Sequence, residues 1–144
     1  MADSRRFEPI ADLARNSERE AAKALGQALQ QLEAHQAQLQ QLIDYQAEYR
    51  RRLSDSASQG MNAQALNEYR EFVAKLAQAI DRQERVVEQL RRELEDSKRY
   101  WFAKRGHSKA LDMVLERYIK SERRALEKKE QRDHDDRNNR VKHD

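Results

Sequence analysis

The sequence predicts an all-α protein, a long antiparallel two-helix coiled coil (α-hairpin), and three observations predict it. Turn-formers are scarce, with Gly 3 and Pro 1 in 144 residues, against the roughly 12% that the pair makes up on average. A chain so poor in them cannot supply the turns of a sandwich, a barrel or an alternating α/β fold. Hydrophobic residues make up 38% and charged residues another 38%, against roughly 45–50% and 25% in a globular domain, so no thick core can form. Apolar residues also recur at alternating spacings of four and three, the period of a left-handed coiled coil.

The first helix is expected at about 8–54. Pro9 suits its first turn, where a missing N–H costs nothing. Its apolar row reads Leu25, Leu29, Leu32, Gln36, Leu39, Ile43, Gln46, Arg50 and Leu53. A turn follows at about 55–61, where Asp55, Ser56, Ser58 and Gly60 cluster. Asn62 caps a second helix at about 62–135. Its row reads Leu66, Tyr69, Val73, Leu76, Ile80, Gln83, Val87, Leu90, Leu94, Ser97 and Trp101. A short loop demands antiparallel pairing.

Setting Leu53 opposite Leu66 makes paired indices sum to 119. Ile43 then faces Leu76, Leu39 faces Ile80, Leu32 faces Val87, Leu29 faces Leu90 and Leu25 faces Leu94. Gln36 falls opposite Gln83, a polar layer that costs stability and fixes register. Trp101 meets the level of Glu18 and Ala22, among the alanines of helix one. Past about residue 112 helix two has no partner. Gly106 is the expected place for a kink, and the polar tail, about 133–144, is expected to fray. Residues 1–144 read as a single hairpin.

Several function classes are excluded. Cys is 0, so there is no disulfide framework, thiolate metal site or cysteine nucleophile. No apolar run approaches the roughly 18 residues of a membrane span, and the basic residues near position 5 have no apolar stretch behind them to read as a secretory signal, so the expected location is cytoplasmic. There is no glycine-rich phosphate loop, and the histidines at 35, 107, 134 and 143 are scattered. His134-Asp135-Asp136 reads as solvated tail rather than a metal site. The expectation is no enzyme, no catalytic residue, no metal and no cofactor.

Three features concern partners. Gln38, Leu42, Tyr45 and Tyr49 form a second stripe beside the row of helix one, and Phe72, Ala79 and Val86 flank that of helix two. They either thicken a thin seam, make a homodimer contact or form a docking surface. Between Ala24 and Tyr49 the only charges are Glu33, Asp44 and Glu48, which suits a face fitted within a partner or an ordinary Ala/Gln-rich helix. The net charge is +3. The surplus gathers in residues 91–110, where seven bases meet Glu93, Glu95 and Asp96. Arg91, Lys98 and Arg105 share a seven-residue spacing, as a collar facing acidic loops or a merely solvated face would. The interspersed acids speak against nucleic acid.

Taken together, the chain resembles the flagellar FliJ family of the type III export apparatus. The residues that carry this are Arg5, Arg6 and Phe7, the Ala/Gln-rich first helix, and Tyr45 and Tyr49 before the turn. Phe72, Val73, Leu76 and Ile80 follow it, then Trp101, Lys104 and the segment from Ala110 to Arg117. The resemblance implies a coiled-coil hairpin similar to the central stalk subunit of rotary ATPases. It implies insertion of the termini into the hexameric export ATPase ring, FliI, contact with the export gate protein FlhA, and binding of export chaperones. Membrane association would come only through that apparatus, at the cytoplasmic face of the inner membrane. The implied gate-contacting residues are Gln38, Leu42, Tyr45, Tyr49, Phe72, Leu76 and Ala79. Arg91, Arg92, Lys98, Arg99 and Arg105 are the expected ATPase contacts. The alternatives are a chaperone escort without a stalk role and a generic dimerising coiled-coil adaptor.

Overall fold

The computed structural model describes residues 2–143. They form two helices packed against each other as an all-α hairpin: α1, Ala2–Ser58, and α2, Ala63–His143. The link is built as its residues dictate. Gln59 donates its N–H to the Asp55 carbonyl at 3.2 Å and Gly60 donates to that of Ala57 at 3.4 Å, while Ser58 Oγ donates to the Asp55 carbonyl at 2.8 Å. These bonds carry α1 four residues past the expected end at 54. The small polar residues close a last turn instead of opening a loop. Gly60 then reverses the chain at φ 90°, a conformation that costs an L-residue with a Cβ roughly 1–2 kcal/mol. Asn62 caps α2 as expected, its Oδ1 accepting the Ala65 N–H at 2.8 Å. Asn62→Ala should cost about 1 kcal/mol of stability. Gly60→Ala should cost a similar amount, and urea denaturation of the two variants measures both.

Contacts group the chain into two units. The turn-side unit is Lys23–Arg99. Its core is Leu32, Val87 and Leu94, with Leu25, Ala28, Leu39 and Leu90 packed against them. On α2 the seam follows the expected row, with each residue from Leu66 to Ser97 buried or half-buried. On α1 only alternate members hold. Leu25, Leu32, Leu39, Gln46 and Leu53 are in the seam, but the other row is Ala28, His35, Leu42, Tyr49 and Ser56. Leu29 is 44% exposed and Ile43 37%, and Arg50 is exposed. The pairings of Leu29 with Leu90 and Ile43 with Leu76 are thus corrected. Ala28 rather than Leu29 packs against the core cluster, as Leu90 does from α2, because a small side chain lets the helices approach.

The polar layer exists, with a different partner. Gln83 Nε2 donates to the His35 carbonyl at 3.0 Å and lies 3.1 Å from His35 Nδ1, so His35 rather than Gln36 faces it.

The terminal unit contains the described residues up to Ala22 and those from Tyr100 on. Its buried residues are small: Ala11, Ala14, Ala21 and Ser108, with Leu115. Phe7 meets Tyr118 edge-on, with centroids 5.6 Å apart. Arg15 donates to Asp112 Oδ1 from Nε at 3.0 Å and from Nη2 at 2.7 Å, and this bond raises the Arg15 pKa above its ordinary value. Ser4 donates its N–H and its Oγ to the Glu122 carboxylate, satisfying one of the free amides of a helix start.

These contacts correct two expectations. Helix two keeps a partner as far as Glu122, past 112. Pro9 stands inside α1 rather than in its first turn, because Ser4 and Phe7 anchor a turn ahead of it. Each partner on α2 also lies six to eight residues beyond the place that the sum of 119 assigns. Side chains lean toward their own helix N-terminus, so the tips of long ones meet from Cα positions displaced toward both C-termini.

Helix α2 runs through Gly106 and continues to His143, beyond the expected end at about 135, since no Gly or Pro follows Gly106. Asp144 and the His143 side chain lie outside the described residues.

Candidate functional site

Of the seven residues of the expected gate-contacting face, three lie in the seam of the turn-side unit and four on one flank of it. Leu42, Tyr49 and Leu76 belong to the seam rows themselves and are half-buried. Gln38, Tyr45, Phe72 and Ala79 each sit one residue before a seam position, so the antiparallel pairing turns all four to the same side. The Tyr49 and Phe72 rings meet across the helices with centroids 4.5 Å apart and planes inclined by 53°. The Arg52 guanidinium lies 5.5 Å from the Tyr49 centroid. Tyr45 is 53% exposed and Phe72 42%, which is high for rings beside a seam. Gln38 accepts from Gln83 Nε2 at 3.4 Å, tying this flank to the polar layer.

A shallow groove opens there, lined by Tyr49, Arg52, Glu68, Tyr69 and Phe72. Arg52, Glu68 and Tyr69 were not among the expected site residues. Tyr69 was assigned to the seam, and its place beside Tyr49 follows once the row of α1 passes through Tyr49. Arg52 and Glu68 carry no sequence signal that separates them from other surface charges.

The expected ATPase contacts fall differently. Arg91, Arg92, Lys98 and Arg99 are exposed on the turn-side unit, whereas Arg105 belongs to the terminal unit. Acids interleave with the first four. Arg92 pairs with Glu88 at 3.5 Å and Lys98 with Glu95 at 3.2 Å. A surface depression there is lined by Glu88, Arg91, Arg92, Glu95, Asp96 and Arg99. Its charge is therefore mixed, and such exposed pairs contribute little to stability. Arg105 is half-buried, its guanidinium 5.2 Å from the Trp101 centroid. That contact uses the cation against an aromatic face rather than a carboxylate.

Among the described residues no group of three or more His, Cys, Asp and Glu side chains stands close enough to hold a metal. In the tail, His134 Nε2 lies 3.3 Å from Asn138 Nδ2. Among the same residues no helix is long and apolar enough to cross a membrane. What these surfaces offer is recognition: aromatic area, a groove and fixed charges on a helical scaffold.

Comparison with known proteins agrees in kind. The family model described as Flagellar FliJ protein matches residues 3–142. The Flagellar FliJ protein of Escherichia coli (strain K12) is 28% identical over 117 residues, covering 81% of this chain and 80% of the relative. That of Salmonella typhi is 27% identical over 117 residues with the same coverage. No solved structure matches.

Proposed function

The chain belongs to the flagellar FliJ family, and from that premise we propose that it is the central-stalk component of the flagellar export apparatus, coupling the hexameric export ATPase to the export gate. The family is one of flagellar export components and not of enzymes. The reading rests on one observation: Tyr45 and Phe72 stand exposed on one flank of the turn-side unit, Phe72 against the seam residue Tyr49, where a self-sufficient two-helix seam needs no aromatic side chains. Exposed aromatics above a groove, with Arg52 beside them, have the composition of an interaction hot spot. This flank is the surface assigned to the gate protein, FlhA-like in kind. The ATPase, FliI-like, would take Arg91, Arg92, Lys98, Arg99 and Arg105 as contacts, on residues separate from the gate flank.

In this reading the mechanism is conformational. An asymmetric stalk inside a symmetric ring binds some subunit states better than others, and only that difference in affinity shifts ring assembly and hydrolysis. Export chaperones are further partners of the same reading.

The test is ATP turnover by the purified export ATPase with and without this protein. Stimulation should survive Tyr45→Ala/Phe72→Ala, which should instead lose binding to the gate protein. Arg91→Glu/Arg92→Glu should lose stimulation. Absence of stimulation by the intact protein would overturn the stalk role and leave a chaperone escort as the better account.

A further inference from the structure

Two arginines share a level on the flank of the turn-side unit opposite Tyr45 and Phe72. Arg50 and Arg70 follow the seam residues Tyr49 and Tyr69, and antiparallel pairing turns both to that flank. Their indices sum to 120, between the 118 of His35 with Gln83 and the 121 of Tyr49 with Phe72. Positions beside a seam normally carry opposite charges that bridge the helices. Here both are exposed arginines, and among the described residues neither is in an ion pair. No acid stands three or four residues from either of them, where helical neighbours lie. The nearest carboxylates along the chain, Glu48, Asp55, Glu68 and Glu71, sit about 100° or more around their helices, and Glu48 is held by Arg52 at 2.7 Å. Away from the turn the flank continues as Ile43, Gln36 and Leu29, at seven-residue intervals from Arg50. Ile43 is 37% exposed and Leu29 44%, and neither belongs to the seam. Charge returns beyond Ile43, with Glu33 on α1 and Asp81, Glu84 and Arg91 on α2, and Asp81 is held by Arg85 at 2.8 Å.

We propose that this flank receives an amphipathic helix of a partner protein, whose carboxylates seat on Arg50 and Arg70 and whose apolar side chains cover Ile43 and Leu29. Two like charges at one level repel, and an anion placed between them relieves the repulsion. Arginine forks take carboxylates through paired hydrogen bonds. The occupant is a helix because Leu29, Gln36, Ile43 and Arg50 form one line along the coiled coil, about 32 Å long. A third helix with the same seven-residue repeat meets that line in step. Its acids belong at the end toward the turn, since Glu33 and Glu84 would repel them at its middle. A nucleic acid would take the two arginines, gain nothing from Ile43 and Leu29, and meet Glu33 and Glu84 beyond them. A lipid surface asks for a continuous apolar face lined by basic residues, whereas this flank has two separate aliphatic side chains with acids beside them.

The test uses the full chain and a fluorescein-labelled synthetic helix with leucines at seven-residue intervals and a pair of glutamates at one end, followed by anisotropy. The peptide should bind. Arg50→Ala/Arg70→Ala should weaken binding by about tenfold or more with a thermal melt no lower than that of the unaltered chain, since both side chains are exposed. Leu29→Ala/Ile43→Ala should weaken it to a similar degree, with circular dichroism showing that the variant stays helical. Arg50→Glu/Arg70→Glu should lose this peptide and take one whose glutamates are replaced by lysines. Moving the glutamates to the middle of the peptide should weaken binding. Tyr45→Ala/Phe72→Ala, on the opposite flank, should leave it unchanged. The proposal is overturned if the peptide does not bind, if a scrambled peptide of the same composition binds as tightly, or if the arginine or the aliphatic variant keeps full affinity. Arginine-dependent binding of duplex DNA or of phosphatidylglycerol vesicles in place of the peptide overturns it equally, as does loss of peptide binding in the Tyr45/Phe72 variant.

Discussion

Leu32→Ala should lower the unfolding free energy by about 2–3 kcal/mol, while Leu29→Ala, three residues away, should cost less than about 1 kcal/mol. The two substitutions remove the same atoms. They differ in that Leu32 is 6% exposed and packs in the cluster with Val87 and Leu94, whereas Leu29 is 44% exposed. The low end of the usual range for a buried leucine applies, because a two-helix seam can close partly over a cavity. Urea denaturation of both variants is decisive for the packing of α1. Equal losses would return Leu29 to the seam and restore the row through Gln36, Ile43 and Arg50.

The second large effect is expected at Ser108, which is 1% exposed. Ser108→Leu should destabilise the terminal unit by about 1–3 kcal/mol, since a larger side chain has no room in a seam so close that its buried residues on α1 are alanines. Ser108→Ala should be close to neutral by comparison. Amide hydrogen exchange locates the effect: protection should fall around Ala11, Ala14 and Leu115 and stay unchanged around Val87 and Leu94. A uniform loss across both groups would mean that the two units unfold as one.

The row of α2 was legible because it is written in large apolar residues, from Leu66 through Val73, Ile80 and Val87 to Leu94. The row of α1 was legible only in its alternate members. Leu29 and Ile43 look more hydrophobic than Ala28 and His35, and hydropathy alone favours them. Packing reverses the choice, because an alanine permits close approach and a histidine can satisfy its polar atoms on Gln83. In the terminal unit the alanines of helix one were legible as the level that meets Trp101, but no row could be read through small residues such as Ser108, which is buried without an apolar signal. Helix ends were misjudged for a related reason. Ser4, Phe7 and Glu122 extend the pairing through contacts distant in sequence, which no local pattern announces.

The candidate surfaces divide in the same way. The contact of Tyr49 with Phe72 joins two residues that the sequence had singled out on separate helices. The cations of 91–110 looked like one group in the sequence, because their acidic neighbours are spread along the chain. On the helix surface Glu88 and Glu95 come back beside Arg92 and Lys98, since residues three or four apart are neighbours there.

The polar layer of the turn-side unit has a mechanical consequence. Two heptad helices can in principle shear past each other by one repeat, about 10.5 Å, and find their apolar rows matched again. Such a slip would carry Gln83 away from the His35 carbonyl to the level of Ala28 or Leu42, leaving its amide without these partners at a cost of about 1–3 kcal/mol. Gln83 therefore works as a detent. A pull applied along one helix is handed to the other at that level instead of being lost in sliding, and Gln38, bonded to the same amide, sits where that load would arrive.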